Sequence, residues 1–355
     1  MFKELKKGTY EEVEQHFIDY WKENDILQKS IDKSNNYFVF YDGPATANGH
    51  PGLHHMVAKF LKDSFCKYKT MQGYKVLRKV GWDTHGLPVE VEAEKKLGFN
   101  SKKDIENYGI EKFNNVCREL VWSNEKSFSD LTAKMGQFID LEHPYVTYDN
   151  NYIETEWYIL KKFFDEGLFY EGVKIVPFCT RCGTGLASHE VAQGYKDIEA
   201  QTVIVPFKVC DDDSYFLVWT TTPWTLISNV ALCVNPNEKY VKVLSNGYKF
   251  ILAKKLANKV LGDSYEILEE YLGKDLEYTS YEQLIPSLKV NKKAFYVTCD
   301  NYVTMEDGTG IVHIAPAFGQ DDANIGKKYN LPYLNPVGED GCYTDGIWKE
   351  RYHQD

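Results

Sequence analysis

The chain has 355 residues, 43% hydrophobic and 26% charged, a globular composition that excludes a wholly disordered chain. Forty-one Lys and Arg against 52 Asp and Glu leave a net charge of −11, which argues against polyanion binding by the surface as a whole but leaves room for a local basic patch. No apolar run approaches the ~18 residues that cross a bilayer. The start, MFKELKKGTYEE, lacks the apolar stretch of a secretory signal, and the chain's eight cysteines then point to a reducing compartment, the cytoplasm. The length suggests two or three domains.

Thr9-Tyr10-Glu11-Glu12 reads as a capping box opening a helix, with Val13, Phe17, Tyr20, Trp21 and Leu27 on one face. Tyr37-Phe38-Val39-Phe40-Tyr41 is a β-prone run expected to form a buried strand. It feeds the loop DGPATANGHPG, after which Leu53, Val57, Phe60, Leu61, Ser64 and Tyr68 recur at helical spacing until Gly73 supplies a stop. Strand, glycine-rich loop and helix form the first unit of a nucleotide-binding α/β fold. A second strand over Lys75 to Val80 is expected to deliver Gly-Trp-Asp-Thr-His-Gly to a strand end. Residues 86–170 read mostly as helices. From about Val173 short β-prone runs take over (QTVIVPFKV, YFLVWTTT, VALCVNP, YVKVL, YKFILA, AFYVTC, GIVHIAP), the pattern of a β-rich second domain.

The segment Asp42 to Met56 is the first with chemistry. A helix N-terminus presents unpaired N–H groups and a positive dipole, which suits phosphate, and His54 and His55 add donors there. In sequence this segment resembles the class I aminoacyl-tRNA synthetases, in particular their isoleucine-specific members, which carry GPPxANG, two residues, then HxGH. Gly43-Pro44-Ala45-Thr46-Ala47-Asn48-Gly49 matches the first part, and the tetrapeptide falls by spacing on Gly52-Leu53-His54-His55. Its first and third positions are exchanged. A register on His50-Pro51-Gly52 would put Leu53 in place of the phosphate histidine and break the spacing. The resemblance implies ATP binding by Asn48, Gly52, His54 and His55, a catalytic part for Gly52, His54 and His55, and an amino-acid pocket bordered by Gly43 and Pro44. A side chain at His54 is expected to crowd the adenine unless the backbone shifts or the imidazole takes over the missing contact.

Gly81-Trp82-Asp83-Thr84-His85-Gly86-Leu87-Pro88-Val89-Glu90 is similar to the GWDxHGLPxE of the isoleucine-specific members. A strand-end Asp is a natural partner for an ammonium, and the resemblance assigns Asp83 to the substrate amine. Val218-Trp219-Thr220-Thr221-Thr222-Pro223-Trp224-Thr225-Leu226, then Ser228-Asn229, resembles the threonine-rich editing motif of the same branch, whereas valine and leucine enzymes have TTRP. Gly308-Thr309-Gly310-Ile311-Val312-His313-Ile314-Ala315-Pro316-Ala317-Phe318-Gly319 with Asp321-Asp322 resembles its partner block, GTGIVHxAPAFGxxD. The implied editing residues are Thr220, Thr221, Thr222, Asn229, His313 and Asp322, with Asp321 as a fallback. A second, hydrolytic site is needed because one methylene is worth only ~1–3 kcal/mol in an apolar pocket, a magnitude borrowed from this enzyme family and not inferred from this chain. Hydrolysis is expected from a positioned water, since no protein nucleophile stands beside the threonines.

Cys179-Thr180-Arg181-Cys182 carries one CxxC, half of a four-ligand zinc site; two reduced thiols in a turn are an equal reading. KMSKS, the second nucleotide motif of the family, is absent from the sequence.

The fold class expected is α/β. Residues 1–172 are assigned to the N-terminal half of a Rossmann-type catalytic domain with a helical start, 173–198 to a connection with the CxxC, and 199–355 to a β-rich editing domain, both domains incomplete. The resemblance implies isoleucine, ATP with Mg2+ and tRNA(Ile) as partners, Zn2+ as an open question, no membrane, and a monomer at full length. It also implies hydrolysis of mischarged valyl-tRNA(Ile). The 355 residues alone are expected not to activate isoleucine. The alternatives are a valine or leucine enzyme of the same class and a catalytically dead tRNA-binding paralogue.

Overall fold

The computed structural model describes residues 8–192 and 194–354. The chain divides between Glu171 and Gly172 into two compact units.

In the first unit, the Thr9 capping box forms as expected: Thr9 Oγ1 accepts from the Glu12 N–H and the Glu12 carboxylate accepts from the Thr9 N–H at 3.0 Å, opening α1 (Tyr10–Glu23). Leu27 lies in a separate helix, α2 (Ile26–Asp32). The run 37–41 is not a buried strand. Its pairing is a single parallel bridge from Tyr37 to Lys75, and Tyr37, Val39 and Tyr41 are exposed, Tyr41 at 90%. β-propensity describes a side chain's fit to a pleated, half-buried surface, and here no continuous neighbour strand supplies one. Pairing begins later, at β1 (Ala45–Thr46), inside the segment read as loop.

Helix α3 (Leu53–Met71) begins after Gly52 and stops before Gly73, which takes φ +90°. Its apolar stripe is the outward one: Leu53, Val57, Phe60, Leu61 and Tyr68 are all more than half exposed, while Lys59 and Cys66 are buried. Strand β2 (Lys79–Asp83) lies a few residues beyond its expected place and contains the Gly-Trp-Asp itself. The region read as helical holds α4 (Leu87–Leu97), α5 (Lys102–Tyr108), α6 (Ile110–Lys134) and α7 (Asn150–Asp165), but also a strand, β3 (Asp140–Val146). The three strands form a parallel sheet in the order β1-β2-β3, with Thr46 opposite Asp83 and Trp82 opposite Val146. Val80, Trp82, Val89, Val121, Phe128 and Val146 fill the core. Gly81 is required there because the Tyr145 ring lies where its β-carbon would be.

The second unit opens with the two-stranded β4 (Phe178–Cys179) and β5 (Thr184–Gly185), then α8 (Ser188–Ala192). A five-stranded sheet follows, built from β6 (Val203–Lys208), β7 (Ser214–Thr220), β9 (Lys239–Ser245), β10 (Tyr248–Ala253) and β11 (Glu266–Leu272) in the order β11-β9-β10-β7-β6. A second sheet has β8 (Ala231–Val234) between β12 (Tyr296–Cys299) and β13 (Ile311–Ile314). Helices α9 (Ala257–Leu261) and α10 (Gln320–Tyr329) complete the unit. Phe207, Phe216, Val218, Leu232, Tyr240, Ile251, Tyr281 and Ile311 pack into one core shared by both sheets. The expectation of a mixed α/β chain with a parallel sheet and a β-rich second part holds. Strand β11 escaped the sequence reading because its exposed, acidic face and a bulge between Ile267 and Glu269 break the alternation.

Candidate active sites

The first site lies at the N-terminus of α3. The Gly52 N–H, one of the helix's unpaired donors, is capped by His55 Nδ1 at 2.9 Å. Because Nδ1 accepts there, the His55 ring proton is on Nε2. Burial, then the neighbouring His54 and Lys59, hold the His55 imidazole below its ordinary value. The His54 and His55 rings sit 3.9 Å apart between centroids, and His55 meets the Phe128 ring edge-on at 5.0 Å.

A cavity of about 290 Å³ opens beside this cap, lined by Gly43, Pro44, Thr46, His55, Lys59 and Trp82 among others. Lys59, which motif reading passed over, is 7% exposed, and its burial lowers the ammonium's pKa. Asp83 closes β2 and accepts from the Thr46 hydroxyl at 3.2 Å, a pairing set by the β1–β2 register. Asp83, Asn48, Gly52 and His54 do not line this cavity, although all belong to the same strand-end and loop region.

The second site is more fully assembled. Thr220 ends β7, and the chain turns through Thr221 and Thr222 into a 3-10 turn, Pro223–Ser228. His313 comes from β13 and Asp322 from the first turn of α10. Thr220, Thr221, Thr222, His313, Asp321 and Asp322 line one cavity of about 260 Å³, with Trp219, Trp224, Tyr302 and Phe318 as aromatic walls. Trp224 meets Phe318 edge-on at 5.1 Å. Residues about 90 positions apart in sequence therefore share a single chamber.

Hydroxyls run through it in series. Thr220 Oγ1 accepts from the Thr222 N–H at 3.0 Å and lies 3.4 Å from Thr222 Oγ1, which is 3.5 Å from Thr225 Oγ1. Thr225, missed as a site residue although it stands in the same motif, is 3.1 Å from His313 Nε2. Burial lowers the His313 pKa to about 4. The Asp322 carboxylate accepts from the Ala315 N–H at 2.7 Å; burial nevertheless holds its pKa above the usual carboxylate range. A half-buried acidic group beside hydroxyls and a neutral imidazole is suited to gripping an amine and orienting a water.

Asn229 is not in this chamber. It is 4% exposed, its amide donates to the Ala231 carbonyl at 2.8 Å, and its Oδ1 accepts from the Tyr281 hydroxyl at 2.6 Å. These two bonds anchor the end of the 3-10 turn, and the expected editing residue Asn229 lies outside the lining of the chamber.

Cys179 and Cys182 face each other across the β4–β5 turn, closed by the Gly183 N–H donating to the Cys179 carbonyl at 2.8 Å. Burial would raise the Cys179 thiol, but hydrogen bonds from Cys182 and Arg181 bring it below the ordinary value, while burial and Cys179 push Cys182 up. Among the described residues no group of three or more His, Cys, Asp or Glu could hold a metal, so these two thiols do not make a closed zinc site. No helix among the described residues is long and apolar enough to cross a membrane.

With both sites in view, the family follows. Residues 16–313 match the family described as tRNA synthetases class I (I, L, M and V), and the chain belongs to it. It is 50% identical over 347 residues to "Isoleucine--tRNA ligase" of Clostridium novyi, covering 96% of this chain and 33% of that protein. It is also 50% identical over 355 residues to the protein of that name from Clostridium acetobutylicum, and 45% identical over 340 residues to that from Picrophilus torridus. The chain spans about a third of the length of these curated relatives.

Proposed function

We propose that this chain is part of an isoleucine–tRNA ligase: residues 1–172 contribute to activation of isoleucine with ATP and Mg2+, 173–198 connect, and 199–355 hydrolyse valyl-tRNA(Ile). The observation that carries the reading is the single chamber uniting Thr220, Thr221, Thr222, His313 and Asp322, in a chain half identical to ligases of that name. The whole enzyme is read as a cytoplasmic monomer acting on tRNA(Ile).

For activation, Asp83 would hold the isoleucine ammonium, Gly43 and Pro44 would border its side chain, and His54, His55 and the α3 N-terminus with Asn48 and Gly52 would meet the nucleotide. Catalysis is then positioning and charge stabilisation, with no covalent protein intermediate. For editing, Asp322 holds the valine ammonium and the threonine hydroxyls orient a water toward the ester carbonyl. The water oxygen bonds to that carbon, the bond to the ribose oxygen breaks, and one proton of the water passes to that oxygen, releasing valine and a free ribose hydroxyl.

The test is deacylation by the 355-residue chain of tRNA(Ile) charged with valine or with isoleucine. Hydrolysis of the valyl ester in preference to the isoleucyl ester supports the reading. Equal hydrolysis of both, or of neither, with the protein folded, overturns it.

A further inference from the structure

The imidazole of His313 has two possible proton positions, and its surroundings distinguish them. Thr225 Oγ1 lies 2.8 Å from the Thr222 carbonyl oxygen and 3.1 Å from His313 Nε2. The other ring nitrogen, Nδ1, is buried and has no hydrogen-bond partner among the described residues. Thr225 lines the chamber but is only 3% exposed.

If Nε2 carries the proton, it donates to Thr225 Oγ1 and the Thr225 hydroxyl donates to the Thr222 carbonyl. Both hydrogens are then bonded, and only an acceptor at Nδ1 goes without. If Nδ1 carries the proton, a buried N–H has no acceptor, and the Thr225 hydroxyl must choose between the carbonyl and Nε2. The first arrangement makes two hydrogen bonds and leaves no buried donor unpaired; the second makes one and strands an N–H.

We propose that Thr225 is a positioning residue that locks His313 in the neutral Nε2–H tautomer, making the imidazole a fixed wall of the chamber and not a proton carrier. Its Nε2 is committed to Thr225, and its lone pair at Nδ1 is shut away from the cavity solvent. The remaining titratable groups lining the chamber are Asp321, Asp322 and Tyr302. Activation of the hydrolytic water therefore falls to groups other than His313. That last step rests on the editing reading; the tautomer does not.

The test is nitrogen-detected NMR of the 355-residue chain labelled on histidine, with His313 assigned by its loss in His313→Gln. The wild-type ring should show the Nε2–H tautomer in at least about tenfold excess, the weight of one net hydrogen bond. Thr225→Val should abolish that excess, and Thr225→Ser, which keeps the hydroxyl, should retain it. Should the valine variant fail to fold, Thr225→Ala serves in its place. An Nδ1–H ring in the wild type, or an unchanged tautomer ratio in the variant lacking the hydroxyl, overturns the proposal. A tautomer as expected with no hydrolysis at all would refute the editing reading and leave the lock standing.

Discussion

The His54 imidazole folds back beside Gly52: a β-carbon on Gly52 would lie 2.9 Å from its Cε1 and 3.0 Å from its Nδ1. The third residue of the tetrapeptide thus places its imidazole beside the first, tilted 42° against the His55 ring. Gly52 has φ −96° and ψ 172°, extended backbone that any residue adopts. The expected outcome for Gly52→Ala is that the backbone accepts the methyl and the His54 ring swings away. Unfolding free energy should change by less than about 1 kcal/mol, while the His54 and His55 ring resonances separate. Unmoved resonances would mean that the two rings do not share this space in solution.

A second prediction concerns Asn229 and Tyr281. The Tyr281 hydroxyl is buried and donates to Asn229 Oδ1 at 2.6 Å, and burial raises the phenol's pKa well above its ordinary value. Removing the hydroxyl leaves a buried carbonyl oxygen with no donor, which costs ~1–3 kcal/mol. Tyr281→Phe should lower the urea midpoint accordingly with an unchanged slope. It should leave the chamber residues in place, because the contact lies behind the 3-10 turn and not in the cavity. A loss of hydrolysis larger than the loss of folded protein would instead return Asn229 to the site.

Much of this was readable from local chemistry. Thr9 and Glu12 announce their helix three residues apart, and the two later motif blocks supply Thr220, Thr221, Thr222, His313 and Asp322, which line one chamber. What escaped reading depends on partners distant in sequence. Tyr37-Phe38-Val39-Phe40-Tyr41 has strand-forming side chains, yet the pairing that would make it a strand is confined to one bridge. The outward stripe of α3 is apolar while Lys59 and Cys66 face in, so helical spacing located a face without telling which way it points. Asn229 sits beside the threonine motif in sequence, but Tyr281, 52 residues on, decides where its amide points. Thr225 acquires a role only through His313, 88 residues away.

Removal of metal should have little effect on this chain. A closed structural zinc site can contribute ~10 kcal/mol or more to folding, but Cys179 and Cys182 have no third ligand among the described residues. Dialysis against a chelator should therefore leave the thermal midpoint of the 355-residue chain unchanged. A drop of several degrees, reversed by added Zn2+, would show that the pair finds further ligands.

The last prediction follows from Asp322. Burial raises its carboxyl above the ordinary carboxylate value, more than the Ala315 N–H and its own backbone N–H pull it down, and Asp321 adds to the rise. A carboxyl whose folded pKa exceeds its unfolded one favours the protonated fold. Its contribution to stability is complete below the unfolded pKa, about 3.9, and fades as pH rises through the folded value. At neutral pH the ionised side chain is thus a cost to folding, retained in the proposed enzyme because an ammonium needs it. Asp322→Asn keeps an oxygen for the Ala315 N–H and removes the charge, so at pH 7 it should be as stable as the parent or more so. Valyl-ester hydrolysis should fall by tenfold or more, since a charge-assisted contact to the substrate amine is worth at least ~1.5 kcal/mol. In the parent, hydrolysis should decline with acid through a midpoint above 3.9, and that limb should vanish in the asparagine variant. A parent profile flat down to pH 4, or a variant that unfolds at neutral pH, would show that Asp322 is a structural cap of α10 and not the group that meets the amine.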